Sequence, residues 1–206
     1  MKNCYLKTFA VALLAGFSGV SNAVYLKDQN ISVSLGISMA SEPFANQTTA
    51  ISLANIIDAP SADASENHIS PTTHVWVSGG SLELDFDFGI EYDLTVLHFW
   101  NYFGESFDVD NIDFQFFDAS NSLVGSLLNV SPELGGGGSN PIFAEDYRLS
   151  FPSRVQFVNA VLTGSNGEVD FNNIGFTAEV SQVPLPGAVW LFLPGLLGLF
   201  QIRKKA

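Results

Sequence analysis

The sequence predicts an all-β protein whose body is an antiparallel β-sandwich or jelly roll. Three observations predict it. Apolar and acidic residues alternate strictly in SLELDFDF, Ser81–Phe88. Short apolar runs recur along the chain, separated by Gly, Asn and Ser turn signals. No stretch of helical length carries a one-sided apolar stripe. Many short strands with turns between them fit an antiparallel two-layer fold.

The elements follow in chain order. Ile31–Ile37 alternates early, as ISVSLGI. Gly79-Gly80 then opens Ser81–Phe88, where Leu82, Leu84, Phe86 and Phe88 share one face and Glu83, Asp85 and Asp87 the other. Successive strand side chains point to opposite sides, so the acids face water. After Gly89, Leu94–Trp100 is rich in β-branched and aromatic residues. Ile112–Phe117 alternates around Asp113 and Gln115. Tyr147–Phe151, Val155–Leu162 and Val169–Val180 complete the set, with Ser165-Asn166-Gly167 marking the last turn. Ser131–Pro141 (SPELGGGGSNP) reads as a loop within one domain, and no internal repeat is visible.

A chain of 206 residues fits one domain with short appendages, and 18 Phe provide the material for a core. The net charge is −13, unevenly spread. Val24–Gln182 holds all 21 Asp and Glu against only Lys27, Arg148 and Arg154. Such a body repels nucleic acid and anionic lipid, which need basic patches. Cys4 is the only cysteine. If the leader is removed, no disulfide, zinc-thiolate site or cysteine nucleophile is available.

Residues 1–23 have the three parts of a secretory signal peptide: Lys2 and Lys7, the apolar Phe9–Val20, and the small-residue site Ser21-Asn22-Ala23. Signal peptidase is therefore an expected partner, and the mature body is expected to begin near Val24. At the other end, Val183–Ile202 is uncharged and Arg203, Lys204 and Lys205 follow at once. As a helix it would span about 30 Å, enough for a bilayer core, with a kink at Pro194. Positive residues stay cytoplasmic, which would place the body outside the inner membrane.

Val183-Pro184-Leu185-Pro186, the apolar run and the basic end together resemble the PEP-CTERM sorting signals of Gram-negative bacteria, in their VPLPA variant. The chain departs from that variant at Gly187, where it has Ala, and at Pro194. The resemblance implies recognition by an exosortase near the Pro motif, transient anchoring in the inner membrane, and export linked to extracellular polysaccharide. The destination it implies is the cell envelope, the cell surface or the extracellular matrix.

A second resemblance covers roughly Ile51–Val180. Ala54-Asn55-Ile56-Ile57-Asp58 comes first, then Trp76, Gly79-Gly80-Ser81, Ile90–Thr95 and Leu97-His98-Phe99-Trp100-Asn101. Val155-Gln156-Phe157-Val158, Ser165-Asn166-Gly167 and Phe171-Asn172-Asn173-Ile174-Gly175-Phe176 follow. That order resembles the discoidin-like (coagulation factor C-type) domains of the galactose-binding-like fold. It implies an eight-stranded jelly roll that binds glycans, or sometimes lipid headgroups or proteins, through loops at one end. Many such domains hold a structural calcium.

For that ion the resemblance points to Asp58, Asp63 and Asn173, although Ala59-Pro60-Ser61-Ala62 breaks the usual loop and Asn173 stands where Glu is common. Calcium takes about six to eight oxygens, so backbone carbonyls would have to complete the set. The alternative is an ordinary loop of turn-forming residues. Asp108-Val109-Asp110 resembles the start of a calcium loop but lacks its Gly and terminal Glu, and reads as the opening of a strand. For glycan binding, Tyr102, Phe103 and Glu105 follow a strand, and His68 and His74 lie in the loop where family binding loops fall. The alternative is that Phe103 and Trp76 close the core and the histidines are ordinary surface groups. His98, between Leu97 and Phe99, reads as structural.

No nucleophile elbow, HExxH or phosphate loop is present, so catalysis has no organised set of groups. The expectation is an exported, non-enzymatic protein that binds or organises extracellular polysaccharide. The alternative is a structural matrix protein or protein-interaction scaffold without a specific glycan.

Overall fold

The computed structural model describes residues 23–37, 50–67, 75–136, 141–150 and 153–181. The leader before Ala23 lies outside them, as do His68, His74, the Val183–Pro186 motif and Arg203, Lys204 and Lys205. Among the described residues no helix is long and apolar enough to cross a membrane.

Nine strands and one short helix are described: β1 Val24–Leu26, β2 Ser32–Leu35, α1 Ala50–Asn55, β3 Val75–Ser78, β4 Ser81–Asn101, β5 Asn111–Phe117, β6 Leu123–Val130, β7 Glu145–Arg148, β8 Val155–Thr163 and β9 Glu168–Val180. All pairings are antiparallel. The long strand β4 belongs to two layers. Its first half pairs with β2 and β8, and β8 continues through β5 to β6. Its second half pairs with β7 and β9, and β9 carries both β1 and β3 on its far side.

The crossover lies at Gly89. The sequence suggests two strands separated there, whereas the structure runs one strand of 21 residues through it. Gly89 has φ of 72°, which a residue without a Cβ adopts freely. The ladder to β8 shifts register between Asp87 and Tyr92, and Tyr92 then faces both Val155 and Val180. The chain bends from one layer to the other without reversing.

Between the layers lies one core. Leu82, Leu84, Phe86 and Phe88 fill it from β4, as their alternation requires, and Ile112, Phe114 and Phe116 from β5. Phe176 on β9 meets Phe86 at 5.6 Å and Phe88 at 5.2 Å, edge to face, and Phe99 stacks on Phe171 at 5.4 Å. The contacts of Phe176 with Phe86 and Phe88 join the two layers.

A bulge between Leu94 and Val96 changes which face of β4 is inward. Tyr92 and Leu94 point into the core before it, and Leu97 and Phe99 after it. His98 and Trp100 therefore lie on the outer face of the second layer. Trp100 packs with Ala59 of the loop 56–67 and with Ile142 of residues 141–144, and Tyr25 lies against His98 (ring centroids 5.7 Å). Trp100 Nε1 donates to the Ala64 carbonyl at 2.9 Å. His98 is buried between Asp146 (Nδ1 to Oδ1, 2.6 Å) and Thr177 (Nε2 to Oγ1, 2.8 Å). That is the structural role its strand position suggests.

Candidate functional site

The end of β4, the start of β5 and the β8–β9 turn meet at one end of the sandwich. Asn101 closes β4 there. Its Nδ2 donates to the Val109 and Glu133 carbonyls, both at 3.1 Å, and its Oδ1 accepts from Tyr102 N at 2.9 Å and Val109 N at 3.0 Å. One buried amide thus fixes both ends of the loop 102–109 and ties it to the segment after β6. The β8–β9 turn packs close beneath, where a Cβ on Gly164 would strike the Glu168 carbonyl.

The loop displays an aromatic group. Tyr102 lies against Phe103 (ring centroids 4.6 Å) and meets Phe107 edge-on (6.1 Å). Of the three, Phe107 is the exposed ring at 41%, while Tyr102 retains only 8% of its surface. Tyr102 thus differs from its sequence expectation. It supports the surface ring, and burial and Asp170 both raise its hydroxyl pKa. Phe103 is half-buried and packs against the Trp100 cluster, as its core-closing alternative suggests. Glu105 is exposed, and its carbonyl accepts from Asn166 Nδ2 at 2.8 Å, which ties the aromatic loop to the β8–β9 turn.

Acidic groups surround these rings. Asp108 is buried, and its carboxyl is pushed up to about 6 by desolvation first and then by Asp110 and Glu105. Among the described residues its Oδ1 has no hydrogen-bond partner. Asp110 accepts the Ser165 N–H and so pins the same turn. Asp170, also buried, is pushed up to about 8 by desolvation and Glu168. Sequence reasoning missed Phe107, Asn166 and Asp170. The only signal for Phe107 was its place next to Tyr102 and Phe103.

The residues expected to hold calcium fall elsewhere, on the outer face of the second layer. Asp58 and Asn173 do meet: Asn173 Nδ2 donates to Asp58 Oδ1 at 3.0 Å. Asp63 is exposed on the loop. Glu66, not anticipated, joins the pair, and its carboxyl is pushed up to about 7 by burial and by Asp58. Yet the group aimed at these oxygens is the nitrogen of Asn173, while its own oxygen is taken by Ala59 N at 3.2 Å. As folded, this set does not fit a calcium ion, because a hydrogen-bond donor occupies the point on which the oxygens converge. Among the described residues no group of three acidic, His or Cys side chains is arranged to hold a metal.

No family model and no curated protein matches the sequence. Solved structures do. An F5/8 type C domain from Bacteroides fragilis aligns at TM-score 0.48 and 10% identity, covering 77% of this chain and 98% of its own. A family 32 carbohydrate-binding module from Clostridium perfringens, in complex with GalNAc-β-1,3-galactose, aligns at 0.49 and 9%, covering 74% and 99%. The family 32 module of C. perfringens NanJ, in complex with galactose, aligns at TM-score 0.50 and 8% identity, covering 76% of this chain and 99% of that one. The chain therefore carries a mostly-β antiparallel sandwich similar in fold to that module.

Proposed function

We propose that this protein is an exported, non-catalytic glycan binder that holds polysaccharide on the loops at one end of its sandwich. The observation that carries the reading is the exposed Phe107, backed by Tyr102 and flanked by Glu105 and Asn166. An exposed ring beside fixed polar groups suits the alternating apolar and hydroxylated faces of a sugar. The NanJ module, solved with galactose, has the same type of fold. His68 and His74 enter the proposal on the family resemblance alone.

The acidic surroundings narrow the ligand class. Glu105, Asp110 and Glu168 lie at this end, and no Lys or Arg occurs between Val75 and Tyr147. Neutral or amino sugars suit such a surface, and uronates or sialates do not. Export, signal-peptidase cleavage, exosortase processing near Val183–Pro186 and transient membrane anchoring rest on the sequence signals at the two ends. On that reading the protein organises polysaccharide at the cell surface or in the extracellular matrix.

The test is titration of the purified full chain against a glycan array and the host's extracellular polysaccharide. Saturable binding that falls about tenfold or more in Phe107→Ala, with Asn166→Ala and Glu105→Gln also weakened, supports the site; a tenfold loss corresponds to about 1.4 kcal/mol. A folded chain that binds no glycan overturns the proposal and leaves a matrix or scaffold role.

A further inference from the structure

The loop 56–67 crosses the outer face of the second layer, and one side chain of β9, Asn173, makes several of its ties to that layer. Asn173 is completely buried. Its Nδ2 donates to the Asn55 carbonyl at 3.1 Å and to Asp58 Oδ1 at 3.0 Å, with Glu66 Oε1 at 3.5 Å. Its Oδ1 accepts from Ala59 N at 3.2 Å, on a residue 1% exposed. Beside it, Ile174 N donates to the Ile56 carbonyl at 2.7 Å.

The orientation of this amide is fixed by groups that cannot change roles. A peptide N–H only donates and a peptide carbonyl only accepts. Turning the amide over would set its oxygen against the Asn55 carbonyl and the Asp58 carboxylate, and would leave the buried Ala59 N–H facing another donor. The second loss is the costlier, because Asn173 and the Ala59 N–H are both buried. Asn173 therefore cannot offer its oxygen inward to an ion while the loop keeps this path.

We infer that the Asn173 amide takes the place of a structural cation in this domain, gathering Asn55, Asp58 and Glu66 with two N–H bonds, so that the loop and the fold are independent of divalent metal. The disagreement with the family pattern has a chemical basis. A carboxylate at position 173 would add a negative charge to Asp58 and Glu66 and require a cation, whereas an amide brings its own positive hydrogens and adds no charge. The inference stands on the loop geometry and holds whether or not the far end binds glycans.

Thermal unfolding of the full chain in calcium and in chelator tests it, with hydrogen exchange of the Ala59 amide as a second readout. The expected result is the same Tm in both buffers and equal, strong protection of the Ala59 amide. Asn173→Ala should lower Tm by several degrees and expose that amide, with no recovery in calcium. Asn173→Asp should fall further in chelator and regain stability when calcium is added. A Tm gain of several degrees for the unaltered protein in calcium, abolished by Asp58→Asn, would overturn the inference, since an ion at about a hundredfold excess over its Kd shifts Tm on that scale. An Asn173→Ala protein as stable and as protected as the original would overturn it too. If Asn173→Asp does not fold, the unaltered protein and the exchange measurement still decide.

Discussion

Asn101 shows how one polar residue shapes the end of the sandwich that carries the candidate site. It makes four hydrogen bonds while 2% exposed, and two of them close its own loop. Asn101→Ala is expected to cost about 2–4 kcal/mol in urea unfolding, because several buried groups lose their partner at once. Asp108 and Asp170 act in the other direction. Each carboxyl holds its proton more tightly when folded than its ordinary value of 3.8, at about 6 and about 8 respectively. The folded state then binds more protons than the unfolded one between those limits, so stability falls as pH rises from about 4 to 8. Tm at pH 5 should exceed Tm at pH 9. Asp170→Asn should raise Tm at pH 9 by roughly 2–8 °C and change little near pH 4, since it removes the charge that burial disfavours. Equal stability of Asp170→Asn and the original at pH 9 would contradict this account.

Among the elements, β4 carries the architecture, because both layers are built on it. Its bend relies on Gly89, where a Cβ would meet no atom of the described residues within 4 Å but would be strained by the φ of 72°. Gly89→Val should therefore destabilise by about 1–2 kcal/mol through the backbone alone, without a clash. Phe176→Ala should cost more, about 3–5 kcal/mol, since Phe176 is fully buried and touches the rings that join the layers. At the far edge β6 is irregular. Its ladder to β5 shifts twice, and Asn129 takes φ of 57° and donates its N–H to Asp113 Oδ1 at 2.7 Å. Leu123 and Leu128 stay exposed there, and the bulges interrupt the row of edge groups that another strand would pair with. The same irregularity hid β6 from the sequence, since LVGSLLNV neither alternates nor repeats at helical spacing.

Over the whole molecule, charge is the dominant property. A net charge of −13 disfavours anionic ligands through long-range repulsion, and salt screens that repulsion. Binding to a neutral glycan should change little between low and physiological ionic strength. Any residual binding to a uronate polymer should strengthen as salt is added. Isothermal titration at two salt concentrations checks both, and tighter uronate binding at low salt would contradict the charge argument. The exposed Arg154, whose Nε donates to Glu91 Oε2 at 3.0 Å, lies with Asp93 beside the β4 bend, not among the residues of the loop 102–109.

Strand identity was legible in the sequence wherever one face of a strand is core and the other water. In Ser81–Phe88 and Ile112–Phe117 the alternation is written by that division, and these became the first part of β4 and most of β5. The loop after β4 was legible and Glu105 is exposed on it, whereas the burial of Tyr102 was not; Asp58 and Asn173 were legible as neighbours. Tertiary structure alone decided the rest. That β4 continues through Gly89 into a second layer depends on β8 and β9 pairing with it from more than sixty residues away in sequence. That Phe107 is the displayed ring and Tyr102 its support depends on Asn101 pulling the loop inward. That Asn173 offers its nitrogen, and not its oxygen, to Asp58 depends on one buried peptide N–H at Ala59. Periodicity records which side of a strand meets water, but which polar atom faces which is fixed only when distant backbones close around it.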